Sequence, residues 1–268
     1  FLTGTRADFG KLSPLMDAVE SDNTFECHIF VTGMHTLEKY GNTFDEIQKK
    51  GYKNITVFHN QTDVNQQDLI LARTITGFSE YVKRISPDMI IVHGDRIEAL
   101  AGAIVGSFNN ILVSHIEGGE ISGTVDELIR HAVSKLSHIH FTANDEATER
   151  LIQLGESKNS IFTIGSPDIH VMTNVELPTI NEVLNHYEIP FKDFGVFIFH
   201  PVTTELDTLA EQINEVVLSL IESDKNFIVI YPNNDNGTEI ILEKICELEN
   251  NKKFMIFPSI RFLYFLTI

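Results

Sequence analysis

Met89-Ile90-Ile91-Val92-His93-Gly94-Asp95-Arg96 is the stretch that decides the fold. A short, unbroken apolar run bounded by turn residues reads as a strand buried on both faces. The run ends on a glycine flanked by charge. The same punctuation returns at Ile111-Leu112-Val113, followed by His115-Ile116-Glu117-Gly118-Gly119-Glu120. An amphipathic stretch, Arg96 to Phe108, lies between the two. Strand, helix, strand implies a right-handed crossover and a parallel sheet. Further out, Phe25 to Val31 and Ile139 to Thr142 read as strands, and Asp68 to Arg84 and Asp126 to Leu136 as helices. In such sheets ligands bind at the C-terminal ends of the strands.

The alternation breaks near Gly165 to Pro190, where Gly165-Ser166-Pro167, Pro178 and Pro190 cluster. It then resumes with strand Phe194 to Phe199, helix Leu206 to Glu222, strand Phe227 to Tyr231, helix Glu239 to Leu248 and strand Phe254 to Phe257. The expectation is two α/β domains, residues 1–170 and 171–268, joined around residues 166 to 180. Three strands make the second domain incomplete. Phe1 to Gly4 reads as the end of a strand whose beginning is missing, and Phe262 to Ile268 as a helix cut off mid-pattern.

Composition narrows the function. Twenty Lys and Arg against 38 Asp and Glu give a net charge of −18, which repels phosphate backbones and argues against nucleic-acid binding. No apolar run approaches the ~20 residues of a membrane span. Cys27 and Cys246 stand far apart with no CxxC spacing, which fits buried free thiols and a cytoplasmic protein. His138 and His140 are two apart on a strand, but without a third ligand at suitable spacing they read as structural, so no metal is expected.

Familiar motifs fail in informative ways. Gly4-Thr5-Arg6-Ala7-Asp8-Phe9-Gly10-Lys11 has five residues between its glycines and Leu12 after the lysine, so it is no phosphate loop of the nucleotide-triphosphatase kind. It remains a strand-to-helix turn carrying Arg6, a residue suited to anions. No GxGxxG follows a strand, and no GxSxG occurs. Asp95 and Glu117 each fall just past a strand end. Ser122-Gly123-Thr124-Val125-Asp126-Glu127 leads into a helix on which Asp126 and Arg130 lie four apart, on one face. His200-Pro201-Val202-Thr203-Thr204 follows the second domain's first strand, where a histidine can serve as acid, base or phosphate donor.

Taken in order with Arg130-His131, Lys135-Leu136-Ser137-His138 and Pro232-Asn233, these segments resemble the hydrolysing UDP-N-acetylglucosamine 2-epimerases along nearly the whole chain. The resemblance implies two Rossmann-like domains facing a cleft, a glycosyltransferase-B-like α/β arrangement with the second domain truncated. It implies a UDP-sugar substrate, with the sugar held by the first domain and UDP by the second. Asp95, Glu117, Asp126 and His200 take the catalytic positions, and Glu127 competes with Asp126 for its place. Arg6, Asp8, Arg130 and Asn233 take substrate-binding positions. No cofactor is implied, and a homodimer or higher homo-oligomer is, with the helices around Asp68 to Arg84 and Arg96 to Phe108 as apolar surface. The family's Gly-Asn-Ser-Ser segment, whose serines bind the nucleotide phosphates, has no counterpart in these residues.

The implied reaction eliminates UDP to a 2-acetamidoglucal and then adds water, giving free N-acetylmannosamine for sialic-acid-type sugar biosynthesis. Charge on departing UDP calls for arginine, histidine and helix N-termini. Positive charge developing on the ring calls for carboxylates. The alternatives are the same chemistry on UDP-N,N′-diacetylbacillosamine, or nucleotide-sugar binding without turnover.

Overall fold

A computed structural model describes residues 1–41, 43–61 and 66–268, and these divide into two compact units. The first comprises Phe1–Glu38 and Asn42–Val175, the second Lys39–Gly41 and Glu176–Ile268.

In the first unit β1 (Leu2–Thr3), β2 (His28–Val31) and β3 (Asn54–Val57) pair in parallel, interleaved with α1 (Arg6–Ser21) and α2 (Phe44–Lys49). After α3 (Gln67–Ile85) come β4 (Met89–His93), β5 (Leu112–Ile116), β6 (Ile139–Thr142) and β7 (Ile161–Thr163), also parallel and in that order. Helices α4 (Ile97–Phe108), α5 (Val125–Lys135) and α6 (Asp145–Gln153) connect them, and α7 (Pro167–Asn174) follows. β1 lies beside β4. The two ladders, 3-2-1 and 4-5-6-7, thus lie side by side at β1 and β4 in the doubly wound order, whose direction reverses between them.

Alternation along each strand fills both faces. Phe30 joins Leu2, Val92 and Val113 in one fully buried cluster, closed by Phe78 and Ala103. Ile29 and Val31 join Ile116 in the other, under Phe9, Leu12 and Met16 of α1. The core thus seats α1 and α4 on opposite faces, with their N-termini beside the switch point.

The segment read as a break between domains holds regular structure. Pro167–Asn174 is a helix packed on α1 within the first unit. Its short span, its Gly-Ser-Pro entry and the later prolines imitate a linker, although Pro at the first helical position is a starting signal.

The second unit contains α8 (Ile180–His186), β8 (Gly195–Ile198), α9 (Leu209–Glu222), β9 (Phe227–Ile230), α10 (Thr238–Cys246), β10 (Phe254–Phe257) and α11 (Phe262–Thr267). Its sheet runs β10-β9-β8, all parallel. Ile228 and Ile230 face one apolar cluster and Val229 the other, so this sheet is also covered on both sides. Among the described residues no helix is long and apolar enough to cross a membrane.

Candidate active site

The switch point of the first unit gathers side chains from five places in the chain. β4 delivers His93 and then Asp95 through a turn at Gly94. β5 delivers Glu117, whose backbone turns sharply with φ +60. That conformation disfavours a side chain, and a residue other than glycine held there marks a geometry that the surroundings impose. Gly119 completes the turn at φ +83, where an added Cβ would stand 2.4 Å from the Ala147 carbonyl oxygen.

Glu117 is 8% exposed and densely bonded. Its Oε2 accepts from Lys11 Nζ at 2.9 Å and from His93 Nε2 at 2.9 Å. Its Oε1 accepts from Ser166 Oγ at 3.0 Å. Lys11 also meets Asp168 Oδ2 at 3.2 Å. The main-chain carbonyl of Glu117 accepts from Arg130 Nη1 at 2.8 Å, while Arg130 Nη2 pairs with the Asp95 carboxylate. One guanidinium thus ties the ends of β4 and β5 together from α5.

The electrostatics follow from this packing. Burial alone would raise the Glu117 pKa, but the His93 hydrogen bond and charge, with Lys11 beside them, outweigh it and hold the carboxyl below the usual carboxylate range. Burial would lower the Lys11 pKa, and its attraction to Glu117 and Asp168 reverses the sign. His115, wholly buried beneath, goes the other way: burial lowers its pKa to about 3. Its Nε2–H faces the Gly94 carbonyl at 2.8 Å, and Nδ1 faces Ser134 Oγ at 3.0 Å. This neutral imidazole braces the two strand ends.

The other expected residues fall into separate places. Asp126 opens α5, where Thr124 Oγ1 caps the helix and contacts Asp126 Oδ2 at 3.2 Å. Glu127 accepts from the Ser122 and Gly123 amides at 3.2 and 2.9 Å, so its own turn occupies it. Arg6 Nη2 meets Glu46 Oε1 at 2.8 Å. Asp8 forms a capping box with Thr5, and its carboxylate accepts from the Gly4 and Thr5 amides at 2.9 and 3.1 Å. It organises the turn that carries Arg6. In the second unit the Asn233 amide donates to His200 Nδ1 at 3.2 Å, which joins the loops after β8 and β9.

The structure thus brings together Asp95, Glu117 and Arg130, and separately His200 and Asn233. It adds Lys11, His93, Ser166 and Asp168, which were absent from the sequence-derived candidates. Lys11 and His93 carried a signal, since both stand within the quoted strand-end motifs. Ser166 and Asp168 carried none beyond the apparent linker.

Comparison with known proteins bears on the family and the fold. The profile of the UDP-N-acetylglucosamine 2-epimerase family matches residues 17–268. A UDP-N-acetylglucosamine 2-epimerase of Neisseria meningitidis is 48% identical over 267 residues, which is 100% of this chain and 71% of that protein. A UDP-N,N′-diacetylbacillosamine 2-epimerase (hydrolyzing) of Legionella pneumophila is 36% identical over 253 residues, 92% of this chain and 67% of that one. The solved structure of UDP-GlcNAc 2-epimerase from Methanocaldococcus jannaschii, in complex with UDP-GlcNAc and UDP, matches with a TM-score of 0.76 and 22% identity. It covers 99% of this chain and 74% of that one, a likeness of fold.

Proposed function

Because the chain belongs to the UDP-N-acetylglucosamine 2-epimerase family, we propose that it converts UDP-N-acetylglucosamine and water into N-acetylmannosamine and UDP. The observation that carries this reading is the ionised Glu117 at the switch point, flanked by Lys11 and His93 and linked through Arg130 to Asp95. The hydrolysing form is favoured by the 36% identical relative, whose own name specifies hydrolysis.

The chemistry divides into two steps. The C1–O bond to UDP breaks and UDP leaves with the electron pair, while a base takes the C2 proton and C1=C2 forms. Water oxygen then bonds to C1, its spare proton passes to a base, and an acid delivers a proton to C2 on the opposite face. The first step builds positive charge on the ring, and an anionic carboxylate held in low dielectric stabilises it. Glu117 suits that demand, because its partners keep it charged. Asp95 and Asp126 supply further carboxylates for the proton transfers. Arg6, in its capped turn, and His200 with Asn233, in the second unit, are assigned to the UDP part. Cytoplasmic location and a homo-oligomeric state complete the proposal.

Incubation with UDP-N-acetylglucosamine in D₂O tests it. Free N-acetylmannosamine bearing deuterium at C2, formed with equimolar UDP, is the expected result. UDP-N-acetylmannosamine as the product would exclude hydrolysis, and no consumption of UDP-N-acetylglucosamine would exclude the substrate. A second reading, UDP-N,N′-diacetylbacillosamine as substrate, is favoured by the same 36% relative. Preferential turnover of that sugar nucleotide to a free 2,4-diacetamido sugar would establish it.

A further inference from the structure

Ser166 occupies the N-cap of α7, the position where a serine normally accepts a hydrogen bond from its own helix, yet its side chain makes no cap bond. The backbone geometry fits a cap, with φ −81 and ψ 132, and Pro167 follows at the first helical position. Proline holds the preceding residue in extended backbone, so the direction in which Ser166 leaves the chain is restricted. The hydroxyl goes instead to Glu117 Oε1 at 3.0 Å, across 49 residues of sequence. Losing a serine cap ordinarily destabilises a helix, so the bond made in its place is the more informative feature. Two residues on, Asp168 reaches Lys11, the cation on the other oxygen of Glu117. One turn therefore restrains both members of the Lys11–Glu117 pair, while the His93 imidazole from β4 and the Arg130 guanidinium from α5 complete the titratable and charged groups that face Glu117.

We propose that Ser166 is a positioning residue for the proposed reaction, one that fixes the plane of the Glu117 carboxylate by holding Oε1 while Lys11 and His93 hold Oε2. A carboxylate anchored at one oxygen only can rotate about its terminal bond, which is a soft torsion. Anchored at both, it presents one orientation to the reacting carbon, and misplacement by about 1 Å is enough to slow a reaction severely. The inference rests on the catalytic reading of Glu117, and the experiment separates the two.

Ser166→Ala removes the hydroxyl and Ser166→Thr retains it. For Ser166→Ala the turnover rate is expected to fall roughly tenfold, the scale of one hydrogen bond to a charged group, with KM little changed. Ser166→Thr should restore most of the rate. Independently of substrate, carbon-13 NMR of the Glu117 carboxyl should show it titrating at higher pH in Ser166→Ala than in the unaltered protein, because a donor to the charged form is gone. Unchanged titration and unchanged turnover in Ser166→Ala would overturn the proposal. So would equal rate losses in both variants accompanied by equal falls in melting temperature, which would mark a packing role. If the unaltered protein releases no UDP, the catalytic reading fails, and the carboxyl titration alone still decides whether Ser166 governs Glu117.

Discussion

Glu117 and Glu127 look alike in sequence, each an acid close to glycine in the segment from the end of β5 to the first turn of α5. Both are held below the ordinary carboxylate range, but by different means. Glu127 is kept charged by the amides of Gly123 and Ser122, four and five residues away. Glu117 is kept charged against burial by His93 and Lys11, 24 and 106 residues away. The first is a property of a local turn and survives wherever that turn forms. The second exists only in the folded unit. A lowered carboxyl pKa is thus no mark of a functional site until the origin of its partners is known.

The comparison breaks first at Glu117. Glu117→Gln keeps the shape of the side chain but cannot ionise. UDP release should fall by ~10²–10³-fold, the usual cost of removing one preorganised electrostatic stabiliser of the transition state, with UDP affinity nearly unchanged by calorimetry. Turnover near that of the unaltered protein would remove Glu117 from the mechanism.

His115 probes the brace beneath. Its folded pKa is about 3, against about 6.5 in an unfolded chain. Between those values the unfolded state binds a proton that the folded state excludes. Stability is therefore lost as pH falls through that window, approaching about 1.4 kcal/mol per pH unit. His115→Gln should shallow this slope by one proton's worth in urea titrations at pH 7, 6 and 5. Parallel pH profiles for the two proteins would contradict a buried neutral imidazole.

Lys11→Met separates the partners of Glu117 from one another. The ammonium is mostly buried, and its removal leaves Oε2 with His93 alone, which should lower unfolding free energy by about 1–3 kcal/mol. The Glu117 carboxyl should titrate closer to the ordinary range. Its depressed folded pKa contributes stability present above about pH 4.3 and lost as pH falls, so the acid limb of the stability curve should flatten as well. Guanidinium melts at pH 7 and pH 4 measure both effects.

The smallest effect belongs to Glu127. Glu127→Gln removes the charge from an exposed local turn and should leave turnover near that of the unaltered protein. A large loss of UDP release in that variant, with an unchanged melting temperature, would make Glu127 rather than Asp126 the third acid.

Much of the fold was legible because its signals are local. Ile139 to Thr142 and Phe254 to Phe257 are strands with the bounds their apolar runs suggest. Asp126 to Leu136 differs from α5 by one residue at each end. The strand-end placement of Asp95 and Glu117 followed from the same alternation. What stayed hidden depends on tertiary contact. β3 reads Asn-Ile-Thr-Val, too short and mixed to stand out. α1 carries Gly10 and Pro14, which lower its apparent helicity, yet its buried Phe9, Leu12 and Met16 hold it on the sheet. The boundary between the units, Val175 to Glu176, falls within residues 166 to 180, but the Gly-Ser-Pro entry there also starts α7, and no local pattern shows that the Ser166 hydroxyl goes to Glu117. No local pattern announces that Lys11 will meet Glu117.

The bond from Ser166 to Glu117 also sets a schedule for synthesis. Lys11 and His93 have already been synthesised when Glu117 is added, but Ser166 comes 49 residues later. At ~5–20 residues per second that is a wait of roughly 2–10 s. Through that interval a nascent chain can hold two of the carboxylate's side-chain donors and lack the third. The charged cluster is finished only as the last helix of the first unit emerges, so its completion is a clock that reads when the whole unit has been made.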